Sequence, residues 1–150
     1  MKARALGRAG AWVAGAWAGL MIGVGGVAAP LLFSLLPRAD AGRVAARLFS
    51  LEATIGVCAG ALLVLVGLQL GRDRAERAVG PRFGAELILA LLAVACIVAG
   101  YYAVQPLLEA ARAGQGSLSF AALHGIASAF FVLRLTLVAI LAWRLSAPPL

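Results

Sequence analysis

Glu52, His124 and Arg134 are ionisable residues that fall inside long apolar stretches of this chain. Such a side chain is costly to place in hydrocarbon and is by default a pointer to function. Reading the second and fourth apolar stretches from Leu48 and Phe120, Glu52 and His124 each lie about one turn in from the same end, hence at similar depth. A carboxylate and an imidazole at one level can share a proton or hold each other's charge. The alternative is that Glu52 pairs with Arg47 or Arg43. Ser128 shares a helical face with His124, but no serine, histidine and acid stand in a catalytic order. Arg134 lies about 14 residues, roughly 21 Å, into its stretch, so its head group must snorkel or find an internal acceptor. Glu86 and exposed backbone carbonyls are the candidates, and the role is either structural anchor or contact to an anionic substrate. Cys58 and Cys96 approach mid-membrane from opposite sides and are expected to pack as small apolar residues. The chain has no CxxC, one histidine and only two methionines, Met1 and Met21, so neither haem, copper nor another metal is expected. The glycine-rich stretch 19–26 contains no phosphate-binding signature. The expectation is a protein that is not an enzyme and uses no cofactor.

The elements that must position these residues follow from composition. Of the 150 residues, 63% are hydrophobic and 13% charged, against roughly 45–50% and 25% in soluble domains. These values argue against a soluble enzyme, a disordered basic tail or a disulfide scaffold. A membrane helix needs roughly 20 apolar residues, and four stretches qualify, at about 11–36, 48–70, 86–108 and 120–143. The expected fold is all-α: an integral membrane four-helix bundle forming one domain over residues 1–150. A cleaved leader at the N-terminus is the less economical reading, because the first apolar stretch runs on past Ala29 through Pro30 to Leu36.

The formal charge of +7 would by itself suggest a polyanion, but sorted by loop it becomes a topology signal. Lys2, Arg4, Arg8, Arg72, Arg74, Arg77, Arg82 and Arg144 fall on one side; Arg38, Arg43, Arg47 and Arg112 fall on the other. The basic excess predicts both termini in the cytoplasm. Trp12 and Trp143 would then sit at the inner interface, with Tyr101 and Tyr102 toward the outer one. The loop from Gly71 to Gly84 mixes both signs of charge and reads as a solvated or headgroup segment, so no nucleic acid is expected as partner.

Lipid provides no hydrophobic drive between helices, so joining depends on close backbone approach. Gly15, Gly19 and Gly23 recur at four-residue spacing in the first stretch, and Gly56 and Gly60 in the second. Both series are expected to serve helix packing, with a homodimer seam on the first as the alternative. Pro30 lacks an amide hydrogen and follows the Gly25-Gly26 pair, which predicts a kink or break near residues 25–30.

Several short motifs resemble the transmembrane protein 205-like family, known in bacteria as domain of unknown function 4149. They are Trp17-Ala18-Gly19, then Ala29-Pro30-Leu31-Leu32-Phe33 with Ala41-Gly42 and Leu48-Phe49, and Phe120-Ala121-Ala122-Leu123-His124-Gly125 opening the last stretch. Family members tend to carry a serine and then an asparagine after the His-Gly pair; this chain has Ala127, Ser128 and Phe131 there, without the asparagine. The resemblance implies a small membrane protein of undefined activity. Together with the residues, it leads to the expectation of a bacterial inner-membrane module or partner-binding scaffold, surrounded by lipid and joined to its own kind or to another membrane protein. The alternative is a small oligomeric transporter or proton-coupled exporter using Glu52, His124 and Arg134.

Overall fold

The computed structural model describes residues 2–147. Four long helices account for nearly all of them: α1 (Lys2–Leu35), α2 (Arg38–Glu76), α3 (Ala85–Arg112) and α4 (Phe120–Ser146). Each is long and apolar enough to cross a membrane. They outrun the apolar stretches because flanking polar residues can extend a helix that is already nucleated. The largest extension is in α2, whose 39 residues would span roughly 58 Å at 1.5 Å per residue. It begins at Arg38, ten residues ahead of its apolar stretch, with the carbonyl of Pro37 accepting from the amides of Asp40 and Ala41. Asp40 in the first turn favours the positive helix end and pairs with Arg43. Before α4, the Ser119 side chain caps the helix by accepting from the amide of Ala122 at 3.2 Å.

The helices pack in a ring, α1 on α2, α2 on α3, α3 on α4 and α4 back on α1. Gly7 and Gly10 of α1 lie against Leu145 of α4, which puts the first and last described residues at the same end of the bundle. The main core gathers small residues with a few large ones: Ala14, Trp17 and Met21 of α1, Ala53 and Leu63 of α2, Ala90 and Ile97 of α3, and Leu141 of α4. A second, smaller core of Val104, Leu108 and Leu123 joins α3 to α4 near the opposite end.

Glycine makes the α2–α3 approach possible. A Cβ on Gly67 would lie 2.8 Å from the Cα of Leu87, and one on Gly71 would collide with the carbonyl oxygen of Arg82 in the loop that leads into α3. Gly60 likewise receives Val94, at 2.5 Å from a Cβ built there. The first-helix series departs from expectation. Gly15, Gly19 and Gly23 face outward and meet nothing within 4 Å, so they do not pack within the bundle. The inward face of α1 is instead Ala14, Trp17, Ala18 and Met21, because Trp17 has a polar partner inside.

Pro30 does not break α1. The turn before it widens into a π-helical segment, Ile22–Ala28, and the chain then resumes α-helical form from Ala29 with Pro30 in its first turn. The helix is continuous here, with the Ala29 amide donating to the carbonyl of Val24 five residues back, and the wider turn accommodates a proline whose ring and missing amide disfavour a regular α-turn. The same device occurs in α3, where a π segment, Val98–Ala103, precedes the turn that holds Pro106. The two wide turns flank α4 closely: a Cβ on Gly25 would lie 2.8 Å from the Phe131 ring, and one on Gly100 would collide with Phe130. Beyond this level, Ala29–Leu35 packs on α2 and Val104–Arg112 on α4. The bundle thus passes from a four-helix ring at the end that carries the termini to two helix pairs at the far end.

Candidate functional site

Glu52 and Arg134 meet in the middle of the bundle. Glu52 follows the start of α2 by about 14 residues, and Arg134 follows the start of α4 by about the same; both helices run from the far end, so equal counts mean equal depth. The guanidinium Nη2 of Arg134 donates to Glu52 Oε2 at 2.6 Å. The indole Nε1 of Trp17 donates to the other carboxylate oxygen at 3.2 Å. All three side chains are buried, with 4% of Arg134 and 2% of Glu52 and Trp17 exposed.

Local sequence explains how the site closes. Gly56 is one helical turn from Glu52 on the same face of α2, and a Cβ there would lie 3.0 Å from Trp17 Nε1; the glycine opens the space through which the indole reaches the carboxylate. Phe131, one turn before Arg134, lies with its centroid 5.2 Å from the guanidinium carbon, and the Trp17 ring lies at 6.0 Å. These aromatic faces favour the cation. Phe131 also meets Phe49 edge to face at 5.6 Å. One donor is left over: Arg134 Nε is buried with no hydrogen-bond partner among the described residues. The arrangement holds one negative and one positive charge in an apolar interior, each neutralised by the other.

His124 is not part of it. Its side chain is exposed and stacks on Phe120 at 5.9 Å with the rings 8° from parallel, while the guanidinium of Arg112 lies 5.1 Å from the other partner of that stack, the Phe120 ring. The expected cluster of Glu52 with His124 therefore does not form. Glu52 is deeper than expected because α2 starts at Arg38 and not at Leu48. Neither Arg43 nor Arg47 is its partner, and Arg43 is held by Asp40.

Glu86 does not reach Arg134. At the end carrying the termini it accepts from Arg74 Nη2 at 2.6 Å and from Arg144 Nη2 at 3.3 Å, clasping α2 and α4 to the start of α3. Cys58 is exposed and Cys96 buried, and both are free thiols. Sequence reasoning missed Trp17 as a partner of Glu52, although the Glu52-to-Gly56 spacing signalled room for a large side chain. It also missed the second π segment, for which Gly100 and Pro106 were the cue.

Comparison with protein families gives a match to the model for a domain of unknown function, DUF4149, over residues 12–117. The chain belongs to this family. The match supports DUF4149 and does not reach the broader transmembrane protein 205-like name. No curated protein and no solved structure matches the chain significantly. The DUF4149 region contains Trp17 and Glu52, whereas His124 and Arg134 lie beyond it in α4. In this DUF4149 chain the buried ion pair thus ties the matched region to the helix that follows it.

Proposed function

We propose that this DUF4149 chain is a multi-pass protein of the bacterial inner membrane, with both termini in the cytoplasm, that works as a non-enzymatic module by lateral association with a second copy or another membrane protein. The observation that carries this reading is the outward glycine face of α1. Within a helix, glycine costs about 0.5–1 kcal/mol relative to alanine. Gly56, Gly60, Gly67 and Gly71 of α2 offset that cost through close packing, but Gly15, Gly19 and Gly23 have no neighbour within 4 Å to offset it. Four-residue spacing on a lipid-facing surface is what a close helix pair uses. Crosslinking and native mass measurement in mild detergent test it. The wild-type chain is expected to self-associate, and the Gly19→Leu, Gly23→Leu double variant to run as a folded monomer; a wild-type chain that is strictly monomeric in both detergent and bilayer discs overturns association with a second copy and leaves the glycine face to a different membrane protein. A reporter fused at the C-terminus is expected to read cytoplasmic.

The second reading is a small oligomeric exporter. It is favoured by the separation of the far end into two helix pairs above the Glu52–Arg134 level, and it would use Glu52 and Arg134 with His124 on the approach. Its test is accessibility: a cysteine at Ser128 should react with a membrane-impermeant thiol reagent, and substrate-dependent protection there would favour transport over scaffolding.

A further inference from the structure

We propose that the groove between α1 and α4 at the end carrying the termini is a binding site for one anionic phospholipid, with its phosphate on Arg8 and an acyl chain along a floor of small residues. The inference rests on the membrane reading above, and it adds a ligand that reading does not contain.

The groove has a volume of about 650 Å³. Its two walls carry the same layering. On α1, Arg8, Trp12 and Gly15 follow one another at helical spacing; on α4, Ser146, Trp143 and Ala139 do so in the same direction. From the bundle end inward the order is polar, aromatic, small on both sides. That is the order of a phospholipid: charged headgroup, interfacial region, hydrocarbon. Trp12 and Trp143 are each 79% exposed, and exposed indoles belong at the headgroup boundary. Ala11, Ala18 and Ala142 complete the lining, so the floor carries only small side chains.

Charge selects the headgroup. At this end of the bundle Arg74 and Arg144 are both held by Glu86. Arg8 is exposed and has no ionic partner among the described residues. The Ser146 hydroxyl donates to the carbonyl of Trp143 at 2.7 Å, which leaves Arg8 as the groove's cationic donor. A basic side chain at the mouth of an interhelical groove favours an anionic headgroup over a zwitterionic one.

The test uses the full chain in mild detergent, titrated separately with phosphatidylglycerol and phosphatidylcholine and followed by native mass spectrometry. Wild type is expected to bind one phosphatidylglycerol about fivefold more tightly than phosphatidylcholine, the preference that one basic residue supplies near a membrane surface. Arg8→Gln should erase that preference. Ala139→Leu, which fills the floor, should weaken both lipids. Arg72→Gln, an exposed arginine at the same end but outside the groove, should change nothing. Equal binding of the two lipids by wild type, an unaffected Arg8→Gln, or an equal loss in Arg72→Gln overturns the site. A floor filled by a second copy would also overturn it, and would show as Ala139→Leu turning a dimer into a monomer with lipid binding unchanged. Failure of the membrane reading is distinct, since the chain would then be recovered without detergent. Failure of the association reading would leave a lipid-bearing monomer.

Discussion

Arg134 and Glu52, 82 residues apart in the chain, sit 2.6 Å apart in the middle of the bundle. Neither charge alone is tolerable in an apolar interior, and each makes the other's position possible. Because the contact joins α4 to α2 across the core while Trp17 joins it to α1, three of the four helices are registered against one another at a single depth. A buried pair joined by a short hydrogen bond is satisfied at one helix register only. A well-packed apolar pair can match the stability of a buried ion pair, so the expected contribution of the glutamate and the arginine is to register more than to net stability.

Removing one partner is therefore expected to cost more than removing both. Glu52→Leu leaves a buried guanidinium without its counter-charge, and Arg134→Leu leaves a buried carboxylate without its own; each should destabilise by about 3–5 kcal/mol. The Glu52→Leu, Arg134→Leu double variant should regain much of that loss. Chemical unfolding in detergent, followed by helical circular dichroism, measures all three. Equal losses in the single and double variants would contradict the pairing.

Glycine substitutions should divide by helix. Gly67→Ala forces a methyl against the Leu87 backbone, 2.8 Å from its Cα, and backbone cannot rotate aside; the expected cost is about 1–3 kcal/mol from overpacking. Gly15→Ala meets nothing within 4 Å and should be neutral or stabilising by up to about 1 kcal/mol through helix propensity. Thermal unfolding of the two variants in the same detergent compares them directly.

The four helices were legible because about 20 apolar residues in a row have few other uses. The polar contacts were not. Hydropathy marks where a helix is apolar, not where it begins, and the start of α2 at Arg38 moved Glu52 more than two turns deeper than its apolar stretch implied. That shift exchanged His124 for Arg134 as its partner. Which face of α1 turns inward was hidden for a related reason: the glycine spacing and the Trp17 stripe are equally regular, and only the carboxylate on another helix decides between them. Pro30 announced an irregularity, but a proline removes a donor without saying whether the helix breaks or widens.

Glu86→Gln should loosen the end that carries the termini. The carboxylate holds Arg74 and Arg144 together, and Arg74 flanks the loop that contains Arg77 and Arg82. With the charge gone, limited trypsin digestion at Arg77 and Arg82 should accelerate severalfold, while the Glu52–Arg134 level stays intact. Cleavage rates read by mass spectrometry of the fragments provide the check; an unchanged rate would mean that the close approach of Gly71 to Arg82 holds the loop without the ion pair.

Phe131 is expected to be energetically coupled to Arg134 and not merely adjacent to it. Its ring does three things at once: it fills the space above Gly25 in the π segment of α1, meets Phe49 edge to face at 5.6 Å, and presents its face 5.2 Å from the guanidinium carbon. Phe131→Leu keeps an apolar side chain there but removes the quadrupole, with an expected loss of about 1–2 kcal/mol from the aromatic pair and the cation together. In an Arg134→Leu background the cation is already gone, so the same substitution should cost less, by about 0.5–2 kcal/mol, which is the range for residues in contact. A double-mutant cycle on the unfolding free energies isolates that difference. If the two losses simply add, the ring serves only to pack the junction between α1, α2 and α4, and the ion pair is held by Glu52 and Trp17 without it.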